Sequence, residues 1–240
     1  MPKSRTFPIK FDALDLEEVV SYCLQKGPYR YIVTPNVDHM CRLYKDSRML
    51  KLYSDADLCV CDSKILQYIS RIFMGTPVKK VVRGSDLVVH LLKSMPKNLK
   101  ISIIGNSDQL KTEIKNLYGL SSVDVYTPPM GFSGQPEEIE KTLTQIIAAG
   151  ADVIFLAVGS PRQEVLAIKL RDRIQHGVAI CCGNAVNFAA GNVKRSPKWM
   201  SNIGLEWFHR ILTEPERMVK RYIKNLEIFL WVFRNSKKIG

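Results

Sequence analysis

The chain reads as an α/β protein: a Rossmann-like, open and largely parallel sheet with helices on both faces, plus a C-terminal helical appendage. Three observations carry that expectation. Short apolar runs recur along the chain, a helical pattern follows almost every one, and the rhythm changes near Lys194. Strand-then-helix order repeated in this way builds parallel sheets, because each strand must return to the same edge through a crossover.

Tyr31-Ile32-Val33 ends in Thr34-Pro35-Asn36 and leads into a predicted helix to about Tyr53. Asp57-Leu58-Cys59-Val60-Cys61 ends in Asp62, with a helix to about Met74. Leu99 to Ile104 ends in Gly105-Asn106-Ser107-Asp108, with a helix to about Tyr118. Val153 to Val158 ends in Gly159-Ser160-Pro161, with a helix to about Ile174, and Val178 to Cys182 ends in Gly183-Asn184. From Lys194 onward Pro197-Lys198-Trp199-Met200 reads as a linker and two helices follow without strands. The expected division is an α/β body over 1–195 and a basic, amphipathic appendage over 196–240.

Open parallel sheets bind ligands at the carboxyl ends of their strands. Thr34, Asn36, Asp62, Asn106, Ser107, Ser160, Gln163 and Asn184 all fall there. Helix capping explains such residues equally well, and for Ser107 and Ser160 capping is the preferred reading, with Pro161 at the first helical position. Asp62 is different in kind. A carboxylate at the rim of the expected crevice is placed for proton transfer, although capping or ion pairing would also put one there. The Gly105-Asn106-Ser107 turn suits a phosphate at a helix start, yet it lacks the Gly-x-Gly-x-x-Gly spacing of dinucleotide sites. Asp55-Ala56-Asp57 matches a short metal-binding pattern but precedes its strand, at the wrong end of the sheet.

With 240 residues, 46% hydrophobic and 24% charged, the chain is an ordinary globular protein with a sizeable core. No apolar run follows Met1-Pro2-Lys3-Ser4-Arg5, so no signal peptide is expected, and no stretch approaches the roughly 20 apolar residues of a membrane span. The six cysteines (Cys23, Cys41, Cys59, Cys61, Cys181, Cys182) have no metal-ligand spacing and read as buried small hydrophobes of a reducing cytoplasm. His39, His90, His176 and His209 are scattered, which predicts no metal centre and no cofactor.

The formal charge is +12, and Lys194 to Gly240 holds eleven Lys/Arg against four Glu, a net +7. Charge gathered in one segment is an argument about partners. Met218, Tyr222, Leu226, Phe229 and Phe233 recur at helical spacing between Arg217, Lys220, Arg221 and Lys224, and Ile228 to Phe233 is apolar all round. A core-docking helix is one reading. The coincidence of an apolar face, Trp231 and basic charge favours contact with an anionic membrane surface.

The motifs, in order, are Thr34-Pro35-Asn36-Val37-Asp38-His39, Ala56-Asp57 through Asp62, and Arg83-Gly84-Ser85-Asp86-Leu87. Gly159-Ser160-Pro161-Arg162-Gln163-Glu164 and Gly183-Asn184-Ala185-Val186-Asn187-Phe188-Ala189-Ala190-Gly191 follow. The last segment holds Gly204-Leu205-Glu206-Trp207-Phe208-His209-Arg210, Glu214-Pro215-Glu216-Arg217 and Arg221-Tyr222. Together they resemble the WecG/TagA/CpsF glycosyltransferases, glycosyltransferase family 26, over most of the chain.

The resemblance implies transfer of a sugar from a UDP-sugar (N-acetylmannosamine-type, its uronic acid, or a hexose) to a polyprenyl-diphosphate-linked saccharide. The setting it implies is the cytoplasmic face of the membrane, in making wall teichoic acid, enterobacterial common antigen, capsule or exopolysaccharide. It further implies inversion at the anomeric carbon, independence of metal, and an appendage that reaches the membrane and completes the active site. By position, Asp62 resembles the general base, Thr34 and Asn36 polar neighbours that orient substrate, and Gln163 a residue of the sugar-nucleotide site. Arg83, Arg210, Arg217 and Arg221 resemble cations for the diphosphates. Gly105, Asn106, Ser107, Gly159, Gly183 and Asn184 complete the expected substrate-binding set. Where the family often has glycine after the aspartate, this chain has Ser63, which bears on donor identity. Rival readings are a Rossmann-like oxidoreductase, opposed by the missing glycine fingerprint, and a basic nucleic-acid-binding protein, for which no motif is present. A moving appendage is also compatible with self-association.

Overall fold

The computed structural model describes residues 6–193, Pro197, Met200 and 203–236, with Glu206, Arg217 and 233–236 described as backbone. Six strands form the sheet: β1 (Arg30–Val33), β2 (Leu58–Cys59), β3 (Lys100–Ile104), β4 (Ser122–Tyr126), β5 (Val153–Leu156) and β6 (Val178–Cys181). They run all parallel in the order β2-β1-β6-β5-β3-β4. Side chains alternate between two cores, as strand geometry requires. Tyr31, Val33, Ile154, Leu156, Ala179 and Cys181 enter one, and Ile32, Val153, Phe155, Val178 and Ile180 enter the other.

One core is covered by α2 (Val37–Leu43), α3 (Ser47–Ser54), α4 (Lys64–Phe73), α7 (Pro136–Ala149) and α8 (Arg162–Leu170). The other is covered by α1 (Leu16–Leu24), α5 (Gly84–Ser94), α6 (Gln109–Tyr118) and α9 (Ala185–Ala189). Right-handed crossovers dictate this split, because connections that travel in opposite directions along the sheet pass over opposite faces. The helix after β1 and the helix after β6 therefore diverge, and so do those after β3 and β5. A crevice opens at the carboxyl end wherever such neighbours part.

The structure differs from the sequence reading in identifiable places. A sixth strand, β4, was not expected; its Ser-Val-Asp-Val-Tyr pattern is that of an edge strand with one partner, so it lacks a continuous apolar run. The single helix expected to Tyr53 is two helices, because Asp46 caps a new one by accepting from the Arg48 N–H at 2.9 Å. All six cysteines are free and buried, with burial pushing Cys41 up to about 11 and Cys23 and Cys182 up to about 12.

Beyond residue 203 there are three helices rather than two: α10 (Glu206–Thr213), α11 (Pro215–Asn225) and α12 (Glu227–Ser236). Pro215 opens α11 where its missing N–H is harmless. The expected linker at Lys198-Trp199 lies outside the described residues. Packing claims part of the apolar tail: Met218, Ile228 and Val232 are buried, and Trp231 stacks on Tyr44, the residue that closes α2, with centroids 3.4 Å apart and planes at 20°. Leu226, Phe229 and Leu230 stay exposed, so the tail is both a docking element and an apolar surface. Among the described residues no helix is long and apolar enough to cross a membrane.

Ion pairs on this seam, Lys45 to Glu227 and Arg221 to Asp38, are partly exposed and contribute little alone. Apolar burial and the ring stack hold α12 down. Trp231→Ala should therefore destabilise by about 2 kcal/mol and expose the segment after Arg210 to limited proteolysis. Unchanged cleavage would show that the stack does not secure it.

Candidate active site

The site begins where β1 ends. Thr34 is buried, and its Oγ1 donates to the Cys181 carbonyl at 3.3 Å, tying the end of β1 to β6 across the crevice. Asn36 caps α2: its Oδ1 accepts from the Asp38 N–H at 3.1 Å, and the Asn36 N–H donates to His39 Nδ1 at 3.2 Å. Asp62 leaves the end of β2 with its N–H donating to the Pro35 carbonyl at 3.0 Å. The neighbouring Ser63 has a structural task, since its hydroxyl accepts from the Leu66 N–H at 3.2 Å and caps α4.

A helix N-terminus completes this floor. A methyl group on Gly84, the first residue of α5, would lie 3.2 Å from Thr34 Oγ1 and 3.5 Å from Asp62 Oδ2. The positive end of α5 thus meets the hydroxyl and the carboxylate at a spacing that leaves little room for a side chain at residue 84. Arg83, one residue earlier, pairs with Asp86 at 3.3 Å.

The helices after residue 203 supply the facing wall. A cleft of about 110 Å³ lies between Asn36, Asp38, Asp62, Ser63, Lys64 and Arg83 on one side and Gly204, Trp207, Arg210, Arg221, Tyr222 and Asn225 on the other. Trp207 meets Tyr222 edge to face at 6.1 Å, joining α10 to α11. The Arg210 guanidinium sits 5.5 Å over the Phe188 ring, joining α10 to α9. Four cations and two carboxylates line this space, a balance that favours an anionic ligand.

Around the first turn of α2 the charges form a hub. Asp38 binds Arg42 at 2.8 Å and Arg221 at 3.6 Å, while Arg42 also donates to the Ser160 carbonyl at 3.0 Å. Arg221 Nε is buried with no hydrogen-bond partner. Burial lowers the His39 imidazole from 6.5 to about 3; Arg42 and Arg221 add to the effect and Asp38 opposes it.

The remaining expected residues gather at the ends of β3, β5 and β6. Asn187 Nδ2 donates to Asn106 Oδ1 at 2.9 Å and to Asn184 Oδ1 at 2.6 Å, linking the loops after β3 and β6. Gly105 has φ +99°, and a methyl there would come within 2.5 Å of the Val158 side chain, so two strand-end loops meet through its bare backbone. Gly159 and Gly183 also have positive φ. Gln163 is 3% exposed; its Oε1 accepts from the Gly183 N–H at 3.1 Å and its Nε2 donates to Glu164 Oε1 at 2.9 Å. Tyr53 donates to the same Glu164 oxygen at 2.8 Å.

Capping was the expected role of Ser107 and Ser160, and neither hydroxyl fills it. Asp108 precedes α6 and Pro161 precedes α8, each without a side-chain cap, and Ser160 Oγ lies 3.1 Å from the Tyr53 hydroxyl instead. The expected residues thus form two adjoining groups. Asn36, Asp62, Arg83, Arg210 and Arg221 line the cleft beside Thr34; Gly105, Asn106, Ser107, Gly159, Gln163, Gly183 and Asn184 lie at the ends of the neighbouring strands. Arg217 falls on α11, its side chain outside the described residues. Asp57 pairs with Arg171 at 2.7 Å at the far end of the sheet, away from both groups. Among the described residues no group of three or more His, Cys, Asp or Glu could hold a metal ion. Asp38, Trp207, Tyr222 and Asn225 also line the cleft without having been singled out as site residues.

A family model described as "Glycosyl transferase WecG/TagA/CpsF family" matches residues 5–239. The chain belongs to that family. It is a glycosyltransferase of cell-surface polysaccharide biosynthesis, with a sugar donor and an acceptor as its substrates. The membership sets aside the oxidoreductase and nucleic-acid readings.

Two outcomes follow from the geometry. Gly84→Ala should fold with a near-normal thermal midpoint but lose about tenfold in turnover, because the new methyl pushes on Thr34 and Asp62; full turnover would mean that their spacing is not critical. The second concerns pH. The folded state resists a proton on His39 that the unfolded chain accepts, so stability is present above about pH 6.5 and falls as pH drops toward about 3. Urea unfolding between about pH 7 and pH 4 should record that decline, and His39→Gln should flatten it. An identical profile in the variant would assign the decline to other groups.

Proposed function

We propose that this glycosyltransferase is inverting and metal-independent, and that it moves a sugar from a UDP-sugar to a polyprenyl-diphosphate-linked saccharide at a membrane surface. The observation that carries the reading is the cleft itself. Asp62, with Thr34 and the N-terminus of α5 beside it, faces the cations Arg210 and Arg221 across one small space.

Asp62 takes the proton of an acceptor hydroxyl as that oxygen bonds to the anomeric carbon. The bond from that carbon to the UDP oxygen breaks on the opposite side, which inverts the configuration. Departing UDP and the acceptor both carry diphosphates, and arginine forks neutralise such groups without a metal. Arg83, Arg210, Arg217 and Arg221 are assigned that task. Thr34 and Asn36 orient substrate, and the loops holding Gly105, Asn106, Ser107, Gly159, Gln163, Gly183 and Asn184 are assigned to the sugar nucleotide.

Two further features support a lipid-linked acceptor. A second groove of about 360 Å³ beside α2 is lined mainly by Cys41, Tyr44, Ile228, Leu230 and Trp231, with the ion pair of Lys45 and Glu227 at its wall. Exposed Ile223, Leu226, Phe229 and Leu230 share the appendage with exposed Lys220 and Lys224, which suits an anionic leaflet. In this reading 196–240 is a functional appendage to the 1–195 body, and the protein sits peripherally on the inner membrane face.

The deciding experiment measures UDP release from a panel of UDP-sugars with synthetic lipid-diphosphate-sugar acceptors in EDTA. Acceptor-dependent release by the wild type is expected, and Asp62→Asn should lower it at least about 100-fold while leaving nucleotide affinity intact. Near-normal turnover in Asp62→Asn would assign the proton transfer elsewhere. Release that requires an added divalent cation would overturn metal independence.

A further inference from the structure

The inward stripe of α11 runs Met218, Arg221, Tyr222, Asn225, at the three- and four-residue spacing of one helix face. Met218 is buried in the usual apolar way, but Asn225 is not an ordinary packing residue. It is 8% exposed, it lines the cleft, and its Oδ1 is buried with no hydrogen-bond partner.

Local backbone needs do not explain the side chain. Asparagine often closes helices in a left-handed turn, yet no non-glycine residue described here has positive φ. The contact that fixes this point of α11 against α2 uses the Asn225 carbonyl, which accepts from Cys41 Sγ at 3.7 Å, and any residue would supply that. A buried acceptor without a donor destabilises the fold unless a ligand provides one.

We propose that Asn225 is a specificity-determining residue of the acceptor subsite, whose side-chain oxygen accepts a hydrogen bond from a hydroxyl or amide N–H of the acceptor sugar. The proposal rests on the functional reading above. The acceptor is favoured over the donor by position. The reacting hydroxyl must reach Asp62, and Asn225 lines the same cleft. The groove opens beside Asn225 at Cys41 and Ile228, so a ligand held at Asn225 has next to it an apolar surface suited to the hydrocarbon of a lipid-linked acceptor. One turn away, the unpartnered Nε of Arg221 is free to donate to the same ligand. An acceptor lacking the matching donor would leave Oδ1 buried and unpaired, which is how a polar pocket rejects an analogue.

The test uses the full chain with glucosyl, galactosyl and N-acetylglucosaminyl diphosphates carrying a short alkyl tail, and their deoxy analogues. Asn225→Leu removes the amide at similar volume and should raise the acceptor KM roughly tenfold while leaving UDP affinity unchanged and the thermal midpoint the same or higher. Asn225→Ser should recover part of the loss. The deoxy analogue that weakens the wild type should not weaken Asn225→Leu further. An unchanged acceptor KM overturns the proposal, and so does a joint fall in UDP affinity and thermal midpoint, which would mark Asn225 as structural. If the wild type transfers to none of these acceptors, the functional reading fails separately, and saturation-transfer NMR with the same compounds decides on Asn225. Contact with the wild type that Asn225→Leu loses supports it; equal contact or none overturns it.

Discussion

The seam between α2 and the last two helices is the contact on which the site depends. Arg221, Tyr222 and Asn225 of the far wall are carried by α11, which together with α12 lies along α2. The seam is mixed by design: an apolar end, where Trp231 stacks on Tyr44 and Ile228 and Val232 are buried, and a charged end, where Arg221 reaches Asp38. The apolar end supplies the attraction and the charged end sets the register. α2 therefore serves two surfaces at once, since its capped N-terminus forms the floor of the cleft.

That double duty gives meaning to Asp38. Arginines crowded into a small space repel one another, and the repulsion grows as water is excluded. Asp38 bridges Arg42 of the body and Arg221 of the appendage, so the cations stay together before any anion arrives. The 3.6 Å contact to Arg221 is the longer of the two, so that guanidinium is the less tightly held.

Much of the sheet was legible because fully buried parallel strands are written as unbroken apolar runs, and the polar residues that end them stand out. The strand that escaped, β4, is an edge strand that alternates polar and apolar residues and is only partly buried, so it shows no such run. Asp62, Arg210 and Arg221 were legible through motifs and through charge concentrated in the tail. Asp38 and Tyr222 stood within the motifs without a role and Asn225 stood in none, because their place at the cleft comes from α11 crossing α2 some 180 residues away in sequence. Gln163 was noticed for its motif, but its buried bond to the Gly183 N–H depends on two strand ends meeting, which no local pattern states.

The tail shows why an apolar helix cannot be assigned to lipid or to core from its pattern alone. Ile228, Trp231 and Val232 look like insertion residues, and they face α2. The residues left outside, Leu226, Phe229 and Leu230, lie on the same two turns, so a single short helix presents both an inward and an outward apolar face. A helix of that kind has a reason to be apolar all round that neither partner alone requires. Its inner face keeps the cationic wall over the cleft, and its outer face stays free for a hydrophobic surface. Losing the inner contacts would open the site, whereas losing the outer ones would leave the site assembled and remove only what lies beyond it.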